Sequence, residues 1–168
     1  MDEGRNLFII TGASCVGKSS VCDYLRKTQT DYIVFESDIF WHGVFDTPLD
    51  KWKNYRERWL KLCAQAADCG KSVILCGATV PEQLEPLAER KLFSEIHYLA
   101  IVCRADTLAE RFAKRAETNR KRIADAQGFN AWLQENHAKT APPITVLDTS
   151  DLSVEEAAKE VLKWIYHS

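Results

Sequence analysis

The sequence lacks the hallmarks of several protein classes. Its six cysteines include no CxxC pair, and cysteines beside apolar periodic stretches are typical of reduced, buried thiols rather than disulfides or a zinc site. It has neither a signal-peptide pattern at the start nor an apolar run long enough to span a bilayer, so we expect a cytoplasmic protein with no membrane partner. Internal repeats, linkers and low-complexity tracts are also missing, which indicates one domain over residues 1–168.

The sequence has little net charge. Its 22 Lys and Arg residues are nearly balanced by 24 Asp and Glu residues, for a net charge of -2 at pH 7. A chain with this balance has no overall positive field, so we expect no nucleic-acid partner, and any cationic site must be local.

Strand patterns alternate with helical patterns along the chain. Short runs rich in β-branched or aromatic residues predict strands at residues 7–10, 32–35, 72–76, 96–102 and 144–147. Helical spacing appears at residues 18–26 and 49–68, and a capping box at Ser153 predicts a last helix to about Tyr166. This alternation predicts an α/β fold, a parallel sheet with helices on both faces. Residues 117–137 show no clean pattern, and we interpret them as part of a small mobile lid over about 111–137.

Residues 12–19 read GASCVGKS, which matches the P-loop pattern GxxxxGK[ST] between a predicted strand and a predicted helix. Gly12 lets the chain leave the strand tightly, and Gly17 lets the backbone approach a phosphate closely. We expect Lys18 to reach the β- and γ-phosphates and the Ser19 hydroxyl to bind magnesium. The predicted phosphate-binding residues are Gly12, Ala13, Ser14, Cys15, Val16, Gly17, Lys18 and Ser19. The predicted cofactors are therefore ATP and Mg²⁺.

A local group of cations follows the fourth predicted strand. Six basic side chains share twelve residues with one acid, Glu117. The basic residues are Arg111, Lys114, Arg115, Arg120, Lys121 and Arg122. A triphosphate suits such a group, and Arg111 and Arg115, four residues apart on one helical face, are the candidates to contact it. The alternative is a solvated basic helix surface.

Three features together resemble the small P-loop kinases, which include gluconate kinase, shikimate kinase and chloramphenicol phosphotransferase. They are the short P-loop ending in GKS, the acidic triplet Glu36-Ser37-Asp38 after the second strand, and the basic helix after the fourth. The resemblance implies a P-loop NTPase fold with a five-stranded parallel sheet in the order 2-3-1-4-5. It also implies that Asp38 orients or deprotonates an acceptor hydroxyl, and that Arg111 and Arg115 neutralise the transferring phosphoryl group.

The magnesium site departs from the strict P-loop pattern. The third strand ends in Cys76-Gly77 with no Walker-B aspartate, so magnesium must rely on Ser19, phosphate oxygens, water and Glu36 or Asp38. This departure weakens an ATPase-motor interpretation more than a kinase interpretation. An alternative role for Asp38 is to cap a short helix that follows it.

Residues 38–68 correspond to the acceptor-binding arm of the resembling kinases, and they are rich in aromatic side chains. The segment carries Phe40, Trp41, Phe45, Trp52, Tyr55, Arg56 and Trp59, with His42 as a second candidate base. Aromatic walls suit a planar acceptor such as a nucleoside or an aromatic drug better than a bare sugar acid. The alternative is that Trp52, Tyr55 and Trp59 pack a helix onto the sheet.

The sequence therefore predicts an ATP-dependent phosphotransferase that moves the γ-phosphoryl group to a hydroxyl or phosphate of a small molecule. A nucleoside-like acceptor is favoured, with a sugar-acid or antibiotic kinase as the alternative. A nucleotide-binding regulatory module without turnover is the alternative from another class. The DxxG pattern at residues 125–128 fits a GTPase switch, but no NKxD motif accompanies it. We expect a monomer or a homodimer.

Overall fold

The structure, a computed structural model, describes residues 5–40 and 50–168. Within them, five parallel strands form one sheet in the order β2-β3-β1-β4-β5. The strands are β1 (Asn6–Thr11), β2 (Tyr32–Glu36), β3 (Ser72–Cys76), β4 (Glu95–Val102) and β5 (Thr145–Asp148). The predicted α/β class and strand order are confirmed. The predicted arm residues Trp41, His42 and Phe45 lie outside the described residues.

Helices connect these strands. In the described part of the chain they are α1 (Lys18–Thr28), α2 (Lys53–Ala67), α3 (Pro81–Leu84), α4 (Ala105–Lys114), α5 (Arg120–Asn136) and α6 (Val154–Tyr166). Short 3₁₀ helices occur at Ser37–Phe40, Ala88–Leu92 and His137–Lys139. None of the described helices is long and apolar enough to cross a membrane.

The central strand β1 is buried on both faces. Its side chains alternate, so that Phe8 and Ile10 contact the core formed with α1, α4 and α6. Leu7 and Ile9 contact the opposite core, formed with α2 and α3. Because both faces of a parallel sheet are covered by helices, its central strands are continuously apolar, as the sequence shows. The carboxyl ends of the strands remain open, and ligand sites of such sheets lie there.

Residues 117–137, which show no clean pattern in the sequence, are mostly the continuous helix α5. Gly128 lies within it although glycine disfavours helices, because buried contacts outweigh local propensity. Leu133 is fully buried, and the Asn130 side chain accepts from the Cys103 amide at 3.1 Å and donates to the Cys103 carbonyl at 2.7 Å. The second half of α5 is thus fixed against the end of β4. The lid over about 111–137 stays a prediction.

Ser153 caps α6. Its hydroxyl accepts a hydrogen bond from the Glu156 amide at 3.2 Å, and the Glu156 carboxylate accepts one from the Ser153 amide at 2.8 Å, which confirms the predicted capping box. We expect Ser153→Ala to lower the free energy of unfolding by about 1 kcal/mol in urea denaturation. ATP affinity should not change, because no residue of α6 lines the two cavities of the candidate site. An unchanged unfolding midpoint would contradict the prediction.

Candidate active site

The loop of residues 12–17 leaves the carboxyl end of β1 and leads directly into α1. Gly12 has φ 150°, and a Cβ atom at this position would lie 2.5 Å from the carbonyl oxygen of Ile101 in β4. Only glycine fits so close to a neighbouring strand. Gly17 has φ 108° and stands at the N-terminus of α1. The backbone amides at this turn therefore lie at a helix N-terminus, where anions bind.

Lys18 is half-buried beside the loop. Its Nζ atom donates to the Ala13 carbonyl at 2.6 Å, which holds the side chain across the loop. Burial lowers the pKa of Lys18, and the nearby Cys76 and Asp38 side chains offset part of this effect. A cation that has lost much of its water and whose hydrogen-bond partner is neutral gains strongly from a bound anion. Lys18 is thus placed to receive a phosphate, and its contact with the nucleotide stays a prediction.

A cavity of about 230 Å³, the phosphate cavity, lies over this loop. Five of the eight predicted P-loop residues line it, namely Ser14, Cys15, Gly17, Lys18 and Ser19. Ala13 and Val16 are buried beneath the surface of the loop, as is Gly12. From outside the loop, Glu36, Asp38, Arg115 and Arg122 also line the cavity. The structure therefore brings the predicted loop, the acidic triplet and one of the two predicted arginines to one place.

A larger cavity of about 500 Å³, the aromatic cavity, adjoins the first and shares Asp38, Gly77, Ala78 and Arg122 with it. Its remaining walls include Trp52, Tyr55, Arg56 and Trp59 from the start of α2. Its volume is in the range of small-molecule binding sites. Tyr55 and Trp59 are also buried in the core beneath α2, which confirms that they pack the helix onto the sheet. Contact of these aromatic residues with a planar acceptor stays a prediction.

Asp38 lies where the two cavities meet, in the 3₁₀ helix that follows β2. Its backbone is held from two sides. The Tyr55 hydroxyl donates to the Ser37 carbonyl at 2.5 Å, and Gly77 lies so close that a Cβ atom on it would be 2.1 Å from Ser37 Oγ. The Asp38 side chain itself is exposed. A carboxylate with a fixed backbone and a free side chain is well placed to contact a ligand that bridges the cavities.

Glu36, the second predicted magnesium residue, has an ion pair. Its Oε1 atom accepts from Arg26 Nη2 at 2.6 Å, so part of its negative charge is already neutralised. Among the residues that the structure describes, no group of three or more His, Cys, Asp or Glu side chains could hold a metal ion. These residues fit a magnesium ion that arrives with a nucleotide, since Mg²⁺ commonly binds one or two protein ligands together with phosphate oxygens and water. Ser19 and Glu36 as its protein ligands stay predictions.

Arg111 and Arg115 lie in different surroundings although they are four residues apart. Arg115 lines the phosphate cavity. Arg111 contacts the P-loop backbone instead: Nη1 donates to the Val16 carbonyl at 2.6 Å, and Nη2 donates to the Thr149 carbonyl at 2.9 Å. The buried Thr149 hydroxyl is 3.2 Å from the same Val16 oxygen. Arg111 and Thr149 thus hold the P-loop to the loop after β5, and contact of Arg111 with a phosphoryl group stays a prediction.

Sequence reasoning did not single out Arg122. This side chain lines both cavities, and its Nη1 atom is 3.2 Å from Glu117 Oε2. Arg122 belongs to the basic group between residues 111 and 122, and membership of that group is the sequence feature that could have identified it. Arg122 lies in α5, beyond Ala116, which has φ 51° and separates it from α4, so the spacing of residues along one helix does not reveal its position.

We expect Thr149→Val and Arg111→Lys each to weaken ATP binding by about tenfold, because each removes a hydrogen bond that holds the Val16 carbonyl. Isothermal titration calorimetry measures this directly. Thr30→Val, at an exposed position between α1 and β2 that lines neither cavity, is the matched control and should bind ATP as the wild type does. Unchanged ATP affinity with slower turnover in Arg111→Lys alone would instead assign Arg111 to the transferring group.

Comparison with solved structures shows the same fold in other proteins. A sugar kinase from Janibacter sp. HTCC2649 has a TM-score of 0.69 at 18% identity, covering 96% of this chain and 94% of that chain. The tunicamycin resistance protein of Deinococcus radiodurans has a TM-score of 0.65 at 13% identity, covering 96% of each chain. A chain of the Pnkp1/Rnl/Hen1 RNA repair complex has a TM-score of 0.56 at 17% identity, covering 81% of this chain and 47% of that one. At these identities the likeness is one of fold.

The sequence comparisons give a family. The search of curated proteins found no significant match. A family model described as AAA domain matches residues 9–131, well over half of the chain, and this span contains the P-loop, the acidic triplet and the basic group. The chain therefore belongs to the AAA domain family (AAA_18), with a P-loop kinase-like fold.

Proposed function

We propose that this protein is an ATP-dependent phosphotransferase that moves the γ-phosphoryl group to a small molecule bound in the aromatic cavity. The observation that carries the proposal is the meeting of two cavities at Asp38, one lined by the P-loop and the other by aromatic side chains. A donor in the first and an acceptor in the second would meet at that carboxylate. Catalysis of phosphoryl transfer consists mainly of such positioning and of charge neutralisation.

On the donor side, the loop amides and Lys18 would bind the phosphates, and the Ser19 hydroxyl with Glu36 would face magnesium. The magnesium–ATP complex supplies the activated phosphoryl group when it is bound. Lys18 and Arg115 line the cavity in which negative charge would develop. Because these cations are already in place before the reaction, they stabilise the transition state without reorganisation.

On the acceptor side, Asp38 would accept the proton of the attacking hydroxyl. The hydroxyl oxygen then forms the new bond to the γ-phosphorus, the bond from that phosphorus to the β–γ bridging oxygen breaks, and ADP leaves with the bridging oxygen. Ser37, Tyr55 and Gly77 hold the backbone that carries Asp38. A base whose backbone is fixed while its side chain is free can reach the acceptor at hydrogen-bond distance.

The aromatic walls support a planar acceptor such as a nucleoside. A sugar acid or a hydroxylated antibiotic is the alternative, and a sugar kinase and a tunicamycin resistance protein share the fold. The presence of Lys18, Ser19 and Asp38 around one cavity supports turnover over a purely regulatory nucleotide-binding module.

An ADP-release assay tests the proposal. ATP and magnesium are supplied with a panel of nucleosides, nucleoside monophosphates, sugar acids, shikimate and hydroxylated antibiotics, with Lys18→Ala as the inactive control. We expect at least one class to stimulate ADP release well above that control. Failure of every class to do so would contradict the proposal.

A further inference from the structure

Three of the six cysteines lie near Lys18. Cys15 and Cys76 line the phosphate cavity, and Cys22 is fully buried on α1, one helical turn after Lys18. Each of the three side chains acts on the pKa of Lys18, so each lies close to its ammonium group. All six cysteines are free thiols, and phosphoryl transfer as proposed uses none of them.

Cys22 and Cys76 form a pair of thiols in contact. Cys22 lies on α1, and Cys76 is the last residue of β3. The two side chains are hydrogen-bonded to each other, and both belong to the core between α1 and the sheet. This hydrogen bond and, after it, burial raise the pKa of the Cys22 thiol. Cys22 therefore keeps its proton and donates it, while the sulfur atom of Cys76 accepts.

Only one member of the pair is open to the phosphate cavity. Cys76 lines that cavity, and Cys22 does not. The cavity, of about 230 Å³, has room for several water-sized molecules, so a small oxidant that enters it meets the Cys76 sulfur first. The neighbours of this sulfur are the Lys18 ammonium and the Cys22 thiol, a cation and a hydrogen-bond donor. Accessible cysteines in such electropositive surroundings are the reactive ones.

A bond between the two sulfur atoms would displace the start of α1. A disulfide holds its sulfur atoms about 2 Å apart, much closer than a hydrogen bond does. Cys22 lies four residues after Lys18, the first residue of α1, and Gly17 of the P-loop precedes that helix directly. Because close-packed cores transmit strain, drawing Cys22 toward β3 shifts the first turn of α1 together with Lys18. Phosphate groups would then find their binding groups out of place.

We propose that Cys22 and Cys76 are a redox-active dithiol, oxidised by a hydroperoxide that enters the phosphate cavity, and that the resulting disulfide weakens nucleotide binding. Disulfides that form transiently in reducing compartments are usually catalytic or redox-sensing. Formation of this disulfide is independent of the proposed function. Its effect on the nucleotide rests on the P-loop as the donor site.

The reaction has two steps. The Cys76 sulfur attacks one oxygen of the peroxide, so that a sulfur–oxygen bond forms while the oxygen–oxygen bond breaks. The sulfur loses two electrons to the peroxide, and the second oxygen leaves with the Cys76 proton, as water when the oxidant is hydrogen peroxide. The Cys22 sulfur then attacks the Cys76 sulfur, the sulfur–sulfur bond forms, and the hydroxyl group on Cys76 leaves with the Cys22 proton as a second water.

Mass spectrometry tests the site directly. Reduced protein is treated with one equivalent of hydrogen peroxide, unfolded, and alkylated with N-ethylmaleimide. We expect a product that has lost two hydrogen atoms and carries four alkyl groups, because two of the six thiols are joined. Tryptic mapping should show the Cys22 peptide linked to the Cys76 peptide, and dithiothreitol should reverse the link. Saturating magnesium–ATP, which would fill the phosphate cavity, should slow its formation.

Variants separate the roles of the two thiols. In Cys22→Ala, Cys76 should stop at the sulfenic acid, which dimedone traps. In Cys76→Ala, neither the link nor a dimedone adduct at Cys22 should form. Cys69→Ala is the matched control, because Cys69 is an exposed thiol that lines neither main cavity, and this variant should form the link as the wild type does.

Calorimetry measures the consequence for the nucleotide. We expect the linked protein to bind ATP about tenfold or more weakly than the reduced protein, as displacement of the phosphate-binding groups predicts. Dithiothreitol should restore the affinity. Cys22→Ala, which cannot form the link, should keep its ATP affinity after the same peroxide treatment to within a smaller factor than the wild type does.

Cys76 that stays reduced at a peroxide dose that oxidises the exposed Cys69 would overturn the inference. So would a link from Cys76 to Cys15, whose sulfur lies 3.9 Å from the Ser14 hydroxyl, a link that forms equally fast with ATP bound, or a linked protein with unchanged ATP affinity. ADP release decides the function separately. The link in a protein whose reduced form shows no turnover contradicts the phosphotransferase proposal alone, and turnover without the link contradicts the inference alone.

Discussion

Lys18→Ala is expected to lower acceptor-stimulated ADP formation by about 10³-fold. Lys18 is the half-buried cation of the phosphate cavity, and loss of one preorganised charge at a reacting phosphate costs two to three orders of magnitude or more. Steady-state kinetics with saturating acceptor measure the effect. Because the ammonium also binds the ground-state phosphates, ATP affinity should fall as well.

The control for this variant is Lys27→Ala. Lys27 is exposed on the same helix and lines neither main cavity, so its loss should leave turnover and ATP affinity unchanged. If Lys18→Ala turned over at a rate close to that of Lys27→Ala, the P-loop would not be the donor site.

Asp38→Asn is expected to lower kcat by about 10²-fold or more while ATP affinity stays the same. Asparagine keeps the size of the side chain but cannot accept the hydroxyl proton. Calorimetry with ATP and turnover with a stimulating acceptor separate the two effects. The role as base predicts a loss in turnover alone.

Asp31→Asn is the matched control, an exposed aspartate just before β2 that lines neither cavity. Equal turnover in Asp38→Asn and Asp31→Asn would leave Asp38 as part of the helical turn after β2, and the base would have to be sought elsewhere.

Local features of the sequence were sufficient to predict most of the fold. Continuous apolar runs located the strands to within a residue or two at most ends, and the Ser153 capping box located the start of α6. These signals work because strand burial, helix caps and tight turns depend on neighbouring residues. The strand order depends on pairing between distant segments, so it came from the resemblance to small P-loop kinases rather than from any local pattern.

The candidate site was only partly predictable. The P-loop and Asp38 follow strand ends, and parallel strands bring such ends together. The contacts of Arg111 with Val16 and Thr149 join distant segments of the chain, and Arg122 lies beyond the left-handed residue Ala116, so no local pattern indicates either arrangement.

The central claim is that the γ-phosphoryl group passes from the phosphate cavity to an acceptor in the aromatic cavity. The most direct test uses ATP labelled with heavy oxygen in its γ-phosphoryl group, together with an acceptor that stimulates ADP release. The account predicts that mass spectrometry finds the label in the phosphorylated acceptor, in an amount equal to the ADP formed, and that Lys18→Ala and Asp38→Asn lose this product. Label found only in inorganic phosphate, with the acceptor unmodified, would contradict it.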